Sequence, residues 1–83
     1  SGEEYVILLP ETNRKKAQQI GQRIIKDCQS LTVKTSTADC TVTVNAGLTS
    51  VVPSDNAVIK IIKRADSALY QAKNKGRNQY QVA

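Results

Sequence analysis

Apolar residues change their spacing along this chain of 83 residues, and each spacing is typical of a different structural element. The continuous apolar run Tyr5–Leu9 predicts a strand that is buried on both faces. From about Asn13 to Gln29 the apolar residues return every three or four positions, which predicts a helix with Thr12 or Asn13 as its N-cap. Residues Cys40–Leu48 then alternate, which predicts one continuous strand. Such switches of period indicate an α/β chain.

The remaining elements are predicted from turn residues and caps. Residues 31–35 form a short edge strand, followed by a turn at residues 36–39. A second helix begins with Ser54 or Asp55 as its cap and ends at Gly76, which suits a left-handed C-cap. Residues 79–82 form a last strand. We therefore expect the order strand, helix, strand or hairpin, helix, strand.

Composition and charge narrow the possible functions. The chain carries a formal charge of +5, but its lysines and arginines are spread over two helices, which a solvated basic face explains as well as a phosphate-binding role. The absence of histidine excludes histidine-based acid–base catalysis and histidine as a metal ligand. Cys28 and Cys40 lack a metal-binding spacing, so we interpret them as reduced core residues. No apolar run approaches the roughly 20 residues of a membrane span.

Three segments together resemble one known family. Residues 1–10 (SGEEYVILLP) are similar to the Gly-Gly-Asp/Glu-Glu-Phe signature of the GGDEF family, the diguanylate cyclases, which precedes an apolar strand. Residues 64–78 (RADSALYQAKNKGRN) resemble that family's Ala-Asp-x-Ala-Leu-Tyr-x-Ala-Lys motif and the Gly-Arg-Asn that follows it. Residues 42–48 (VTVNAGL) resemble its Val-Thr-Val-Ser-Ile-Gly-Val strand. Order and spacing agree throughout the chain.

The resemblance implies a palm-like α+β fold related to adenylyl cyclase. Such domains pair as homodimers, bind GTP with Mg²⁺ or Mn²⁺, and condense two GTP molecules into cyclic di-GMP. Because the family's domain is about twice as long, residues 1–83 are expected to be its C-terminal half. The other half would carry a metal-binding aspartate, the guanine site and a strand that pairs with Tyr5–Leu9. We therefore expect the fragment to be inactive by itself.

The resemblance also implies roles for individual residues. Glu3 matches a metal-binding acidic position, and Glu4 matches a second acidic position that organises the metal or the nucleophile. Gly2 would let the backbone approach the phosphates, and Lys73 and Arg77 match a phosphate-contacting pair. On local grounds alone, Glu3 fits a solvated turn carboxylate and Glu4 fits a structural salt bridge. Gly2 fits an ordinary turn, and cations at a helix C-terminus fit its dipole.

Ser1 departs from the family pattern, which more often has glycine at this position. The activity of the complete domain that contains residues 1–83, its parent, is therefore open. One alternative is a degenerate module that binds GTP or cyclic di-GMP and regulates a partner. A remote alternative is a small basic RNA-binding module, although the strands lack the paired aromatics that stack on bases. GTP as the substrate and reduced cysteines imply the bacterial cytoplasm. Family domains are often fused to membrane segments, so the longer protein that carries this domain can be attached to a membrane. The unpaired first strand predicts self-association or domain swapping of the fragment.

Overall fold

The computed structural model describes residues 4–83, apart from the side chain of Val33. Within this range the chain forms two helices, α1 (Arg14–Gln29) and α2 (Val58–Asn74). It also forms four short strands in the described range: β1 (Thr32–Lys34), β2 (Asp39–Thr41), β3 (Ala46–Leu48) and β4 (Tyr80–Val82). The mixture of helices and strands confirms the predicted α/β class in outline.

Strands β3 and β4 form a parallel pair that is joined through α2. The pair aligns Ala46 with Tyr80 and Leu48 with Val82. Main-chain hydrogen bonds extend it at both ends, from Ala46 N to Gln79 O at 3.0 Å and from Ala83 N to Leu48 O at 2.8 Å. A parallel pair needs a crossover connection, and α2 supplies it. The unit β3–α2–β4 is therefore the centre of the described fold.

The two helices cover opposite faces of this strand pair. Gly47 faces α2, since a Cβ atom placed on it would meet the backbone of Ala65 and Leu69. Because strand side chains alternate between faces, Tyr80 points to the other side, where its ring lies near Gly21 of α1. The core of the described residues is small and consists of small or branched side chains: Ala17, Ile25, Ala68 and Ala72.

Helix α1 confirms its prediction closely. It begins at Arg14 with Asn13 as its N-cap, and the Asn13 side chain accepts a hydrogen bond from Lys16 N at 2.8 Å. Helix α2 begins later than predicted, at Val58, with Ala57 as an N-cap that makes no side-chain capping bond. The predicted cap Asp55 instead binds Arg64, because an ion pair gives this carboxylate a stronger partner than a helix N-terminus.

The prediction of one continuous strand over Cys40–Leu48 is wrong. Its first part forms β2, which pairs antiparallel with β1, and its last part forms β3, which pairs with β4. The antiparallel pair β1–β2 confirms the expected hairpin, with Thr35 N donating to Ala38 O at 2.9 Å across the turn. Both helices pack on β3 and β4, whereas β1 and β2 contact mainly each other. Residues 42–45 therefore connect two separate sheets.

The predicted strand Tyr5–Leu9 does not form in the described structure. A strand needs a hydrogen-bonding neighbour, and none of the strands in the described residues pairs with this segment. Its apolar side chains are exposed as a result: Val6 is 77% and Leu8 is 80% accessible. The expected order is therefore corrected to α1, β1, β2, β3, α2, β4 for the described residues.

Candidate functional site

The fold brings Glu4 and Lys73 together from opposite ends of the chain. Glu4 Oε2 lies 3.6 Å from Lys73 Nζ, and their side chains are 58% and 37% exposed. The structure thus contains the salt bridge that was one of the two interpretations of Glu4. It also places two predicted site residues side by side. The predicted residues Gly2 and Glu3 lie outside the described range.

The C-terminus of α2 places Lys73 and Arg77 at the same end of the molecule. The helix ends with Lys75 as its C-cap, and Gly76 follows with a φ of +118°, as its predicted left-handed role requires. Arg77 N then donates to Ala72 O at 3.0 Å, the long bond of a Schellman motif. The side chain of Arg77 is exposed, while that of Lys73 is half-buried. Both cations therefore remain accessible to a ligand.

Asn45 is a residue of this region that the sequence did not single out. Its Oδ1 accepts a hydrogen bond from Asn78 N at 2.6 Å, which joins the start of β3 to the turn after α2. Asn78 lies in this turn with a φ of 53°. One sequence signal could have indicated Asn45: asparagine stands here where the similar strand of the family has serine. Nothing local reveals its partner.

A second network that the sequence did not predict holds the loop between β3 and α2. Arg64 forms a bidentate pair with Asp55, at 2.9 Å from Nη1 to Oδ1 and 2.8 Å from Nη2 to Oδ2. The same guanidinium donates to Thr49 Oγ1 and to Ser50 O, each at 2.7 Å. Arg64 therefore ties helix α2 to the whole preceding loop.

The electrostatics of this pair are strongly perturbed. The hydrogen bond from Arg64, followed by that from Val52 N, lowers the pKa of Asp55 from 3.8 to about 2. The hydrogen bond with Asp55 raises the pKa of Arg64 in turn. The Asp55 side chain is only 6% exposed, so solvent does not replace its partner easily. Both groups are satisfied by each other, which makes the pair structural.

The described residues offer few ligands for a metal. Among residues 4–83 no three acidic, cysteine or histidine side chains come together. The carboxylate of Glu4 is a hard oxygen donor of the kind that Mg²⁺ prefers, but it needs further ligands.

A shallow groove of about 350 Å³ lies between α1 and β4, lined by residues such as Gln22, Lys26 and Tyr80, and contains none of the predicted site residues. Neither helix in the described range is long and apolar enough to cross a membrane.

The family of the chain follows from comparison with known sequences. Residues 1–79 match the model of the family described as "Diguanylate cyclase, GGDEF domain". This match covers nearly the whole chain and includes both motifs from which Glu4, Lys73 and Arg77 come. The chain therefore belongs to the GGDEF domain family, and the resemblance of its motifs is confirmed.

Curated relatives are named accordingly. The chain is 31% identical over 77 residues to diguanylate cyclase A of Treponema denticola, covering 93% of this chain and 21% of that protein. It is 33% identical over 82 residues to diguanylate cyclase DgcP of Pseudomonas aeruginosa, covering 99% of this chain and 12% of that protein. It is 33% identical over 79 residues to response regulator PleD of Caulobacter vibrioides, covering 93% of this chain and 17% of that protein. The chain thus spans about a fifth or less of the length of these three relatives.

Proposed function

We propose that residues 1–83 are the C-terminal half of a diguanylate cyclase domain and bind the phosphates of GTP. The observation that carries this proposal is the position of Glu4 beside Lys73, with an Oε2–Nζ distance of 3.6 Å. This contact supports a common site, because Glu4 belongs to the signature motif and Lys73 lies in the last turn of α2. The names of the relatives and the family match support the same activity.

The two cations have complementary roles in this proposal. Lys73 acts as a compact point charge on one phosphate group, whereas the planar guanidinium of Arg77 donates two parallel hydrogen bonds. Both act where negative charge accumulates as a 3′-hydroxyl attacks the α-phosphorus and pyrophosphate leaves. Gly2 leaves room for the phosphates because it has no side chain.

The energy of the Glu4–Lys73 pair is compatible with ligand binding. A solvent-exposed ion pair contributes only about 0–1 kcal/mol, since water competes for both groups. A triphosphate carries several negative charges and competes successfully with a single exposed carboxylate. We propose that Glu4 orients Lys73 before GTP binds and releases it to the phosphates afterwards.

A divalent cation is part of the proposal because carboxylates dominate the signature. Glu3 would supply a hard oxygen ligand to Mg²⁺ or Mn²⁺, together with residues from the other half of the domain, and Glu4 would organise the metal or the nucleophile. The bound ion would neutralise phosphate charge and activate the attacking hydroxyl. Because the reaction joins two GTP molecules, we expect two complete domains to pair, each with one GTP.

A binding measurement tests the phosphate site. We expect Lys73→Ala and Arg77→Ala to weaken binding of GTP to the chain about tenfold each, as expected for loss of one charged hydrogen bond. Lys63→Ala is the matched control, because Lys63 is an exposed lysine on the same helix with no described ion pair. Equal affinities for all four proteins, measured by calorimetry, would contradict the proposed site.

A turnover assay tests the half-domain interpretation. Cyclic di-GMP formation from GTP and Mg²⁺ is measured for the chain alone and for a longer protein that carries it. We expect product only from the longer protein, because charge stabilisation needs the complete set of groups. Robust synthesis by the 83-residue chain would refute this interpretation. Binding of GTP by the longer protein without synthesis would instead indicate the regulatory alternative.

A further inference from the structure

The turn that carries Arg77 has an unfavourable backbone conformation. Gly76, Arg77 and Asn78 follow one another with positive φ angles of 118°, 61° and 53°. Glycine adopts such angles freely and asparagine tolerates them, but most other residues lose roughly 1–2 kcal/mol in the left-handed region. The cost therefore falls mainly on Arg77, which needs contacts that hold it. The turn is therefore maintained by its surroundings.

Four hydrogen bonds hold this turn in the described structure, and three of them use partners that are close in sequence. Arg77 N donates to Ala72 O at 3.0 Å. The side-chain amide of Gln79 donates to Lys75 O at 3.0 Å and to Arg77 O at 3.3 Å. These bonds stabilise the turn, but they do not fix its direction relative to the strand pair.

The fourth bond joins the turn directly to the residue before β3. Asn45 Oδ1 accepts from Asn78 N at 2.6 Å, and Asn45 directly precedes β3. The next residue, Ala46, donates its main-chain N–H to Gln79 O at 3.0 Å, a bond that almost any residue would make. The bond from Asn78 needs a side-chain acceptor at position 45. Asn45 therefore connects the left-handed turn to the centre of the fold.

We propose that Asn45 is a positioning residue that aims the Arg77 guanidinium at the phosphates of the ligand. This inference rests on the proposed function, since it needs Arg77 to contact phosphate. Without the Asn45 acceptor, the half-buried N–H of Asn78 loses its partner and the turn relaxes towards ordinary φ angles. The side chain of Arg77 then leaves in another direction. Asn45 itself does not touch the ligand.

The first test is amide hydrogen exchange on the 83-residue chain, followed by NMR. We expect Asn45→Ala to raise the exchange rate of the Asn78 amide by at least about tenfold, the change expected when one hydrogen bond is lost. Asn45→Asp keeps an acceptor of the same length and should retain protection. Asn56→Ala, an exposed asparagine in the loop before α2, is the matched control. An unchanged Asn78 rate in Asn45→Ala would overturn the proposal.

The second test is a double-mutant cycle with inorganic triphosphate as the probe. We expect Asn45→Ala to weaken triphosphate binding by up to tenfold in the unmodified chain and to have no effect when Arg77 is already alanine. An equal loss in both backgrounds would show that Asn45 does not act through Arg77. This outcome overturns the inference, and it leaves the proposed function intact if Arg77→Ala alone weakens binding. No binding by the unmodified chain would overturn both.

Discussion

Gly47 is the position at which helix α2 lies closest to the strand pair, and we predict that Gly47→Ala destabilises the chain. A Cβ atom at this position would meet Ala65 O and Leu69 N, and it would lie 2.9 Å from Leu69 Cα. All three are backbone atoms, so no side-chain rotation relieves the contact. The helix has to move away from β3, and the packing of Ala68 and Ala72 in the core moves with it.

The magnitude follows from two opposing effects. Overpacking of a close-packed interior costs about 1–3 kcal/mol, and contact with rigid backbone puts Gly47→Ala at the upper end. Replacing glycine also restricts the unfolded chain, which offsets about 0.4–1 kcal/mol. The net loss is about 2 kcal/mol. For a domain of this size, each kcal/mol shifts the melting temperature by about 4–8 °C, so we expect a decrease of about 8–16 °C.

Thermal and urea unfolding, followed by circular dichroism, measure this effect. Gly21→Ala is the matched control, because a Cβ atom there would lie at an ordinary 3.9 Å from the Tyr80 ring. Gly21 is inside α1, where alanine is more favourable than glycine by roughly 0.5–1 kcal/mol. The same chemical change should therefore have opposite signs at the two positions. A Gly47→Ala variant as stable as the unmodified chain would refute the close approach of α2.

Two further predictions concern charge and the exposed apolar segment. The folded pKa of Asp55 is lowered from 3.8 to about 2, so the Asp55–Arg64 pair stabilises the chain above about pH 4, and this stabilisation is lost as the pH falls towards 2. Asp55→Asn should lower the melting temperature at pH 6 and have much less effect at pH 2; an equal effect at both pH values would contradict the assignment. Val6 and Leu8 are exposed, so the unmodified chain should self-associate as its concentration rises, and the double variant Val6→Lys, Leu8→Lys should weaken this association with little change in melting temperature. Light scattering measures the association and thermal unfolding measures the melting temperature; a monomer at every concentration of the unmodified chain would count against the prediction.

Local signals in the sequence were sufficient for helix α1 and for the C-terminal end of α2, but not for the start of α2. The apolar stripe of α1, the cap at Asn13 and the left-handed Gly76 each depend on residues within one or two helical turns. The last strand and the hairpin were also predicted, since β-alternation and turn residues are local. Asp55 was misassigned as a cap because its actual partner, Arg64, lies in the middle of the following helix.

The errors in the strands have a common physical cause. The alternation of Cys40–Leu48 shows which side chains share a face, but strand pairing decides where a strand ends. The pattern continues through residues 42–45, although β2 and β3 belong to different sheets. Similarly, the apolar run Tyr5–Leu9 has strand composition and no hydrogen-bonding neighbour in the described structure. Pairing is a property of two segments, and a single segment does not contain it.

By itself, the sequence determined the helix periods, the family motifs and the kinds of side chain available to bind phosphate. Only the tertiary structure placed Glu4 beside Lys73, joined Asn45 to Asn78 and pressed α2 against Gly47. Each of these contacts joins residues that are far apart in the chain. Propensity and periodicity act over a few residues, whereas such contacts depend on how the chain closes on itself. The sequence therefore nominates candidate site residues, and only the tertiary structure gives the relative positions of those that it describes.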